Sequence, residues 1–389
     1  MSCTTCNNLM STLKKSRLIH LSIGISFFVS GLLINLLQFC LFVCLRPFNV
    51  KLYRKLNYYL CYSLYCQLVF LADWWSNTKL TVYCDGDIFT KDENVLLMMN
   101  HTYEIDWLLG WIFCEKRFVL GNCKAFAKKV IRYIPIIGWC WYFAEFVFLE
   151  RSFEKDKEII ATQLKEAFSY PDPVWLLLNA EGTRFTESKH EASVQFAKER
   201  GMTVLKHHLI PRTKGFTASL PTLKKYCHAI YDINLSVKKD DPVPPTIRSL
   251  LFGNSVDAYM FVRRIPMKDV PSDENEAAAW LQNLFVEKDK IQDSFHTTGD
   301  YFKTSGFKET KSFVQKRRIY PLLNVVGWLL VTVLPLIKFM FTSLIYGNWF
   351  SLTIVSILIL ILYVIMRKSI GMSEIRKASK YGMNNHKKD

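Results

Sequence analysis

Apolar positions run almost unbroken through three stretches of the 389-residue chain. Residues 18–45, LIHLSIGISFFVSGLLINLLQFCLFVCL, hold no acid and no base other than His20. As a helix rising about 1.5 Å per residue, this stretch outreaches the bilayer core and can span it with tilt. A cleaved signal peptide would be shorter in its apolar region and would end in a small-residue cleavage site, so the stretch reads as a retained anchor. Residues 319–346, interrupted by Lys338, and 349–366 are separated only by Gly347 and Asn348 and read as a transmembrane hairpin. A fourth run, YIPIIGWCWYFAEFVFL at 133–149, carries Pro135, Gly138 and Glu145. An unpaired carboxylate is costly in lipid, so this run is expected to be a buried or membrane-surface piece of a folded domain.

Between the anchors the pattern changes. Short apolar or β-branched runs at 80–84, 95–99, 146–149, 174–179, 204–209 and 229–237 read as strands. Helical patterns at 106–115, 153–168 and 187–200 lie between them, and a late helix at 274–295 opens with Asp273 and Glu276 in capping-box spacing. This alternation predicts an α/β domain with a mostly parallel sheet over residues 80–300. The rest divides into an N-terminal segment (1–17), the anchor (18–45), membrane-proximal linker helices (46–79), a basic linker (301–318), the two membrane helices (319–366) and a basic tail (367–389).

Charge sharpens this picture. A formal +16 stands beside 50% hydrophobic residues. That combination favours an anionic membrane surface or phosphorylated ligands as partners over nucleic acid, for which no zinc-finger spacing or RNA-binding signature is present. Lys316, Arg317 and Arg318 precede the hairpin, and Arg367, Lys368, Arg376 and Lys377 follow it, which predicts a cytosolic central region and tail. Around the first anchor Lys14, Lys15 and Arg17 nearly balance Arg46, Lys51, Arg54 and Lys55, leaving its orientation open. Eleven cysteines, an odd number set mostly in apolar surroundings, read as reduced small hydrophobes. Cys3 and Cys6 form a C-x-x-C without a second pair, so no metal site is expected.

Chemistry enters with MMNHTYEIDWLLGW at 98–111. In a regular helix five residues advance about 500°, which holds His101 and Asp106 about 140° apart. They meet only if 95–99 is a strand, 100–105 a turn and Asp106 the start of a helix. Asp106 then accepts a hydrogen bond from one ring nitrogen and leaves the other to take a proton. Spacing alone is a weak signal, and a buried, hydrogen-bonded histidine is the better account of it.

Three further blocks bear on that reading. VWLLLNAEGTRFTE at 174–187 is an apolar run ending in Glu-Gly-Thr-Arg: Gly182 admits close backbone approach, the following helix start offers N–H groups, and Arg184 suits a phosphate. Glu150 and Arg151 emerge from FVFLER, and HHLIPRTKGF at 207–216 gives a basic loop with Arg212, Lys214 and Gly215. Turn-stabilising ion pairs or solvated charges account for each taken singly.

Together, in this order and spacing, the four blocks resemble the acyltransferase family that acylates glycerol phosphate and lysophospholipids. Asn100, His101 and Asp106 match its first motif, Gly138 through Arg151 its second, Glu181 through Arg184 its third, and Ile210, Pro211 and Gly215 its fourth. HTYEIDWLLGW, AKKVIRYIPIIGWCWYF, EGTRFTESKH and LIPRTKGF look like eukaryotic 1-acylglycerol-3-phosphate acyltransferases of the gamma and delta type. Where many members carry a proline before the glutamate, this chain has Ala180, which alters the turn without removing a functional group.

The resemblance implies an α/β acyltransferase domain whose His101, oriented by Asp106, deprotonates a lysophospholipid hydroxyl that attacks an acyl-CoA thioester. Arg151, Glu181, Gly182, Thr183 and Arg184 would form the phosphate-binding part. Lys124, Lys128, Lys129 and Arg132, with Lys214, would meet CoA phosphates or anionic lipid, although a solvated helix face explains the first four equally well. Acyl-CoA is then a co-substrate, lysophosphatidic acid the acceptor, and no cofactor is required. Another acceptor, such as lysophosphatidylinositol or a lysocardiolipin, is the alternative, and a non-catalytic lipid-binding membrane protein a more distant one. The endoplasmic reticulum membrane is the implied location, to which the imperfect di-lysine tail NNHKKD adds little. The sequons at Asn100-His101-Thr102 and Asn234-Leu235-Ser236 agree with a cytosolic site, because a glycan on Asn100 would crowd His101.

Overall fold

The computed structural model describes residues 12–373, apart from 87, 90, 91, 151 and 152. Its centre is an eight-stranded sheet: β1 (Lys79–Cys84), β2 (Val95–Met99), β3 (Cys123–Lys128), β4 (Val147–Leu149), β5 (Trp175–Leu177), β6 (Ala229–Val237), β7 (Asp257–Pro266) and β8 (Lys311–Val314), in the order β4-β3-β5-β2-β6-β7-β1-β8. Pairing is parallel except for β6 with β7 and β1 with the edge strand β8. The mostly parallel α/β sheet expected from the alternation of patterns is therefore present.

Strand β2 lies between β5 and β6 and is buried on both faces. Its side chains alternate between two cores. Val95, Leu97 and Met99 join one with Tyr65, Phe113 and Trp175, while Leu96 and Met98 join another with Leu164, Phe216 and Phe285. Two-sided burial explains why β2 reads as a continuous apolar run, whereas β6 alternates apolar residues with the buried polar Asp232, Asn234 and Ser236. Asn100 and His101 follow at the C-terminal end of β2, where α/β sheets place their sites.

The helices, in chain order, are α1 (Arg17–Cys44), α2 (Val50–Phe70), α3 (Asp106–Lys116), α4 (Ile137–Phe143), α5 (Phe153–Phe168), α6 (Glu187–Glu199), α7 (Thr213–Tyr226), α8 (Ile247–Leu251), α9 (Glu274–Thr298), α10 (Tyr320–Ile345) and α11 (Trp349–Ser373). Helix α9 starts where its cap predicts: the Asp273 carboxylate accepts from Asn275 N and Glu276 N at 2.9 and 3.0 Å. It ends at Gly299, left-handed at φ 74°, whose N–H bonds Phe295 O.

Among the described residues, three helices are long and apolar enough to cross a membrane: α1, α10 and, over Trp349–Lys368, α11. Helix α1 also carries a buried polar stripe of Ser30, Asn35 and Gln38. Ser30 pairs with Gln67, Gln38 with Asn57, and Asn35 with both the N–H and the carbonyl of Ile136. One side of α1 is thus spoken for by the folded domain, while Leu32, Leu33, Leu36 and Leu37 face outward. The run at 133–149 is not a span. It folds into α4 and β4, and Glu145 pairs with Arg46 and Arg54.

One expected strand is missing, and a helix takes up the end of the basic loop expected at 207–216. Residues 204–209 form no strand. Their backbone N–H groups go to side chains instead: Lys206 and His207 to Asp289, and Leu209 to Glu181. Conversely, Thr213–Tyr226 is a helix despite Gly215 and Pro221. It buries Phe216, Leu220 and Leu223, a helical spacing that outweighs the donor lost at Pro221.

Candidate active site

The turn between β2 and α3 carries the first constellation. His101 Nδ1 lies 2.6 Å from Asp106 Oδ2, and the other oxygen of that carboxylate accepts from Trp107 N at 2.6 Å. Asp106 is the first residue of α3, so an acid in the first turn also meets the positive end of the helix. The Asp106 side chain is 2% exposed and that of His101 23%. A buried carboxylate thus orients an imidazole whose other nitrogen remains within reach of solvent or substrate.

Asn100 fixes the strand side of the turn. Its amide donates to Leu235 O at 3.0 Å and its oxygen accepts from Leu235 N at 2.8 Å, extending the β2–β6 pairing by one side chain. Burial of Asn100, and of Asn234 with its amide on Lys288 O, removes both sequon asparagines from the folded surface.

Glu-Gly-Thr-Arg lies against the same turn. Phe185 N donates to His101 O at 2.7 Å, and the Glu181 carboxylate accepts from His101 N at 3.3 Å and from Leu209 N at 3.4 Å. Burial pushes the Glu181 carboxyl up to about 8, against the pull of those two N–H groups and of Lys288. Gly182 is left-handed at φ 72°, and a Cβ there would come within 2.8 Å of Arg212 Cδ. Arg212 N in turn donates to Ala180 O at 2.8 Å, so the fourth block folds over the third. Thr183 accepts from the buried Lys189 ammonium at 2.8 Å, and Lys189 also reaches Arg184 O at 3.1 Å. Lys189 and Arg212 add to the residues that the resemblance implies for the site. Arg212 was visible in IPRTKG, whereas Lys189 looked like any lysine of an exposed helix.

The other sequence candidates separate. Arg151 lies outside the described residues. Lys214 is exposed near the start of α7, Lys129 pairs with Glu150, and Arg132 stacks over Tyr133 and Tyr142 at 5.4 and 4.8 Å. Lys128 is half-buried at the end of β3. Lys124 does not join them. It is buried in β3, donates to Ala144 O and stands 3.5 Å over the Tyr170 ring. Burial pushes its ammonium down to about 7, with the Glu145 charge opposing. In a strand Lys124 points into the domain, so no basic helix face gathers these four residues, and Lys124 is withdrawn from the set facing CoA or lipid.

Comparison with known proteins finds the Acyltransferase family model over residues 81–218 and the Acyltransferase C-terminus model over 249–328. The chain is 40% identical over 384 residues to 1-acyl-sn-glycerol-3-phosphate acyltransferase gamma of Homo sapiens, covering 98% of this chain and 99% of that one. It is 39% identical over 385 residues to the delta form of Mus musculus, with the same coverage of 98% and 99%. A crystal structure of the 1-acyl-sn-glycerophosphate acyltransferase of Thermotoga maritima overlaps at TM-score 0.42 and 15% identity, over 72% of this chain and 98% of that one, a likeness too loose to argue from.

Proposed function

The chain belongs to the 1-acyl-sn-glycerol-3-phosphate acyltransferase family, and on that premise we propose that it moves the acyl group of an acyl-CoA onto the free hydroxyl of 1-acyl-glycerol-3-phosphate, giving phosphatidic acid. The observation that carries this is the 2.6 Å contact of His101 with the buried Asp106 carboxylate. With Nδ1–H donated to Asp106, His101 Nε2 is left bare as a proton acceptor. It takes the hydroxyl proton as the oxygen attacks the thioester carbonyl, and Asp106 stabilises the imidazolium that forms. Collapse of the tetrahedral adduct breaks the carbon–sulfur bond, and the imidazolium proton neutralises the departing CoA thiolate. The thioester is already activated, so direct transfer needs no acyl-enzyme.

In this reading Arg184 and Arg151 hold the acceptor's phosphate, with Thr183 and the backbone at Gly182 completing the pocket. Glu181 contributes by holding the turn rather than by contact, since its two oxygens already take the N–H groups of His101 and Leu209. Lys128, Lys129, Arg132 and Lys214 face CoA phosphates or anionic lipid. The site lies on the cytosolic side of the endoplasmic reticulum membrane, a placement supported by the basic flanks of the α10–α11 hairpin.

Purified full-length protein should transfer acyl groups from acyl-CoA to lysophosphatidic acid, and His101→Ala should lose nearly all of that activity. A His101→Ala protein that keeps most of the rate would sink the mechanism. Lysophosphatidylinositol and lysocardiolipin as competing acceptors separate the proposed substrate from its alternatives.

A further inference from the structure

Outside the catalytic turn there are two more histidine–aspartate contacts, the half-exposed His207 with Asp293 and a buried one in which His208 Nδ1 lies 3.1 Å from Asp289 Oδ1. The His208 side chain is 0% exposed and faces the edge of the Phe285 ring, so no substrate reaches it. Its partner Asp289 does something else. One oxygen of Asp289 accepts from Lys206 N and the other from His207 N, both at 2.8 Å. The segment that failed to form a strand is therefore pinned to α9. Two residues on, Leu209 N reaches one oxygen of Glu181, whose other oxygen takes the N–H of His101.

The preceding residue of α9 serves the other side of the same turn. Lys288 is fully buried and donates to Asp232 Oδ1 at 2.6 Å, to Ile233 O at 2.7 Å and to Met98 O at 3.4 Å. Met98 stands three residues before His101. Asp232 is shared with Arg263, which also reaches Glu287. Against burial, which pushes it up, Lys288 and Arg263 hold the Asp232 carboxyl below the usual carboxylate range. Replacing such a buried ion pair by apolar or neutral groups is often neutral or stabilising, so stability alone is a poor reason for this cluster. Geometry gives a better one: an ammonium with three fixed acceptors sets the spacing of α9, β6 and the end of β2.

We propose that Lys288 and Asp289 are positioning residues for His101, a two-residue clamp that fixes its backbone from both sides, through Met98 and through Glu181. The clamp lies in the part of the chain matched by the Acyltransferase C-terminus model, and it gives that part a role in the reaction. The proposal rests on His101 being the base.

The test uses full-length protein in nanodiscs with acyl-CoA and lysophosphatidic acid. Asp289→Asn and the neutralised double variant Asp232→Asn/Lys288→Met are compared with wild type and His101→Ala in kcat, both KM values, the pH profile of kcat and Tm. A clamp predicts a kcat about tenfold to a hundredfold lower, since small misplacement of a reacting group is costly. Both KM values should stay near wild type, and the pH limb that reports the base should shift. A folded double variant with wild-type kcat and pH profile overturns the proposal, as does failure of both variants to fold, which would make the pair structural only. A wild type without transfer, or a fully active His101→Ala, fails the reading of the site before any clamp variant is compared.

Discussion

His101 is useful only in one tautomer, and Asp106 selects it. With Asp106→Asn, the amide oxygen can remain on Trp107 N while the NH2 turns toward His101 Nδ1. The ring proton must then sit on Nε2, where the base should be. We expect kcat to fall by roughly 10³- to 10⁴-fold with little change in either KM, measured by steady-state kinetics at saturating acyl-CoA. Lys124 makes a different prediction at the same scale. Its ammonium is pushed down to about 7 in the folded protein from an ordinary 10.5. Between those values the unfolded chain binds a proton that the folded chain does not, so this group adds stability as pH rises through the window. Wild type should therefore gain stability relative to Lys124→Met between pH 7 and about 10.5, read as the difference in their melting temperatures.

The elements around the site depend on close backbone approach. Gly138, in α4, is packed so tightly that a Cβ there would lie 1.9 Å from the carbonyl oxygen of Ile131. That oxygen belongs to the backbone and cannot swing aside. Gly138→Ala should lower stability by about 2–3 kcal/mol, seen as a drop of several degrees in Tm. Gly327→Ala in α10, with nothing near the added carbon, should leave Tm almost unchanged. Neighbouring Ile136 shows the same economy of space. It holds φ 71°, in the left-handed region, while its side chain fits against Gly31 of α1 and its backbone bonds Asn35. The 133–149 run is therefore a docking element for the first apolar helix and not a crossing of its own.

For the whole molecule, the catalytic domain and the apolar helices form one packed unit. Asn324 and Trp328 of α10 bond Ser63 of α2, and Trp74 bonds Arg318 O just before α10 begins. Orientation of that unit is testable through Gly201, which is exposed and left-handed at φ 64° with nothing within 4 Å of a Cβ. Asparagine tolerates that conformation, and Gly201→Asn creates an acceptor sequon with Met202 and Thr203. Translated with microsomes, the variant should stay unglycosylated if the domain is cytosolic. A glycan-dependent mobility shift would place the domain in the lumen.

Much of this was legible in the sequence, for a physical reason: burial on both faces leaves an apolar run whatever its partners are. β2 appears in the sequence with the bounds it has in the structure for that reason, β6 does so by its alternation of apolar with polar residues, and Phe153–Phe168 announces itself by its period. The cap at Asp273 is local and so equally legible. β8 is a four-residue exposed edge, and β3 was hidden behind its lysines; neither leaves a pattern strong enough to read. His101, Asp106 and the Glu-Gly-Thr-Arg turn could be named from spacing and resemblance, because their chemistry requires those residue types. Tertiary structure alone decided that Lys124 points inward and that residues 204–209 give their N–H groups to Asp289 and Glu181. It alone placed Lys288, nearly two hundred positions along the chain, beneath the strand that carries His101. Such roles depend on which backbone groups lack a local partner, and that is settled only when distant elements pack together.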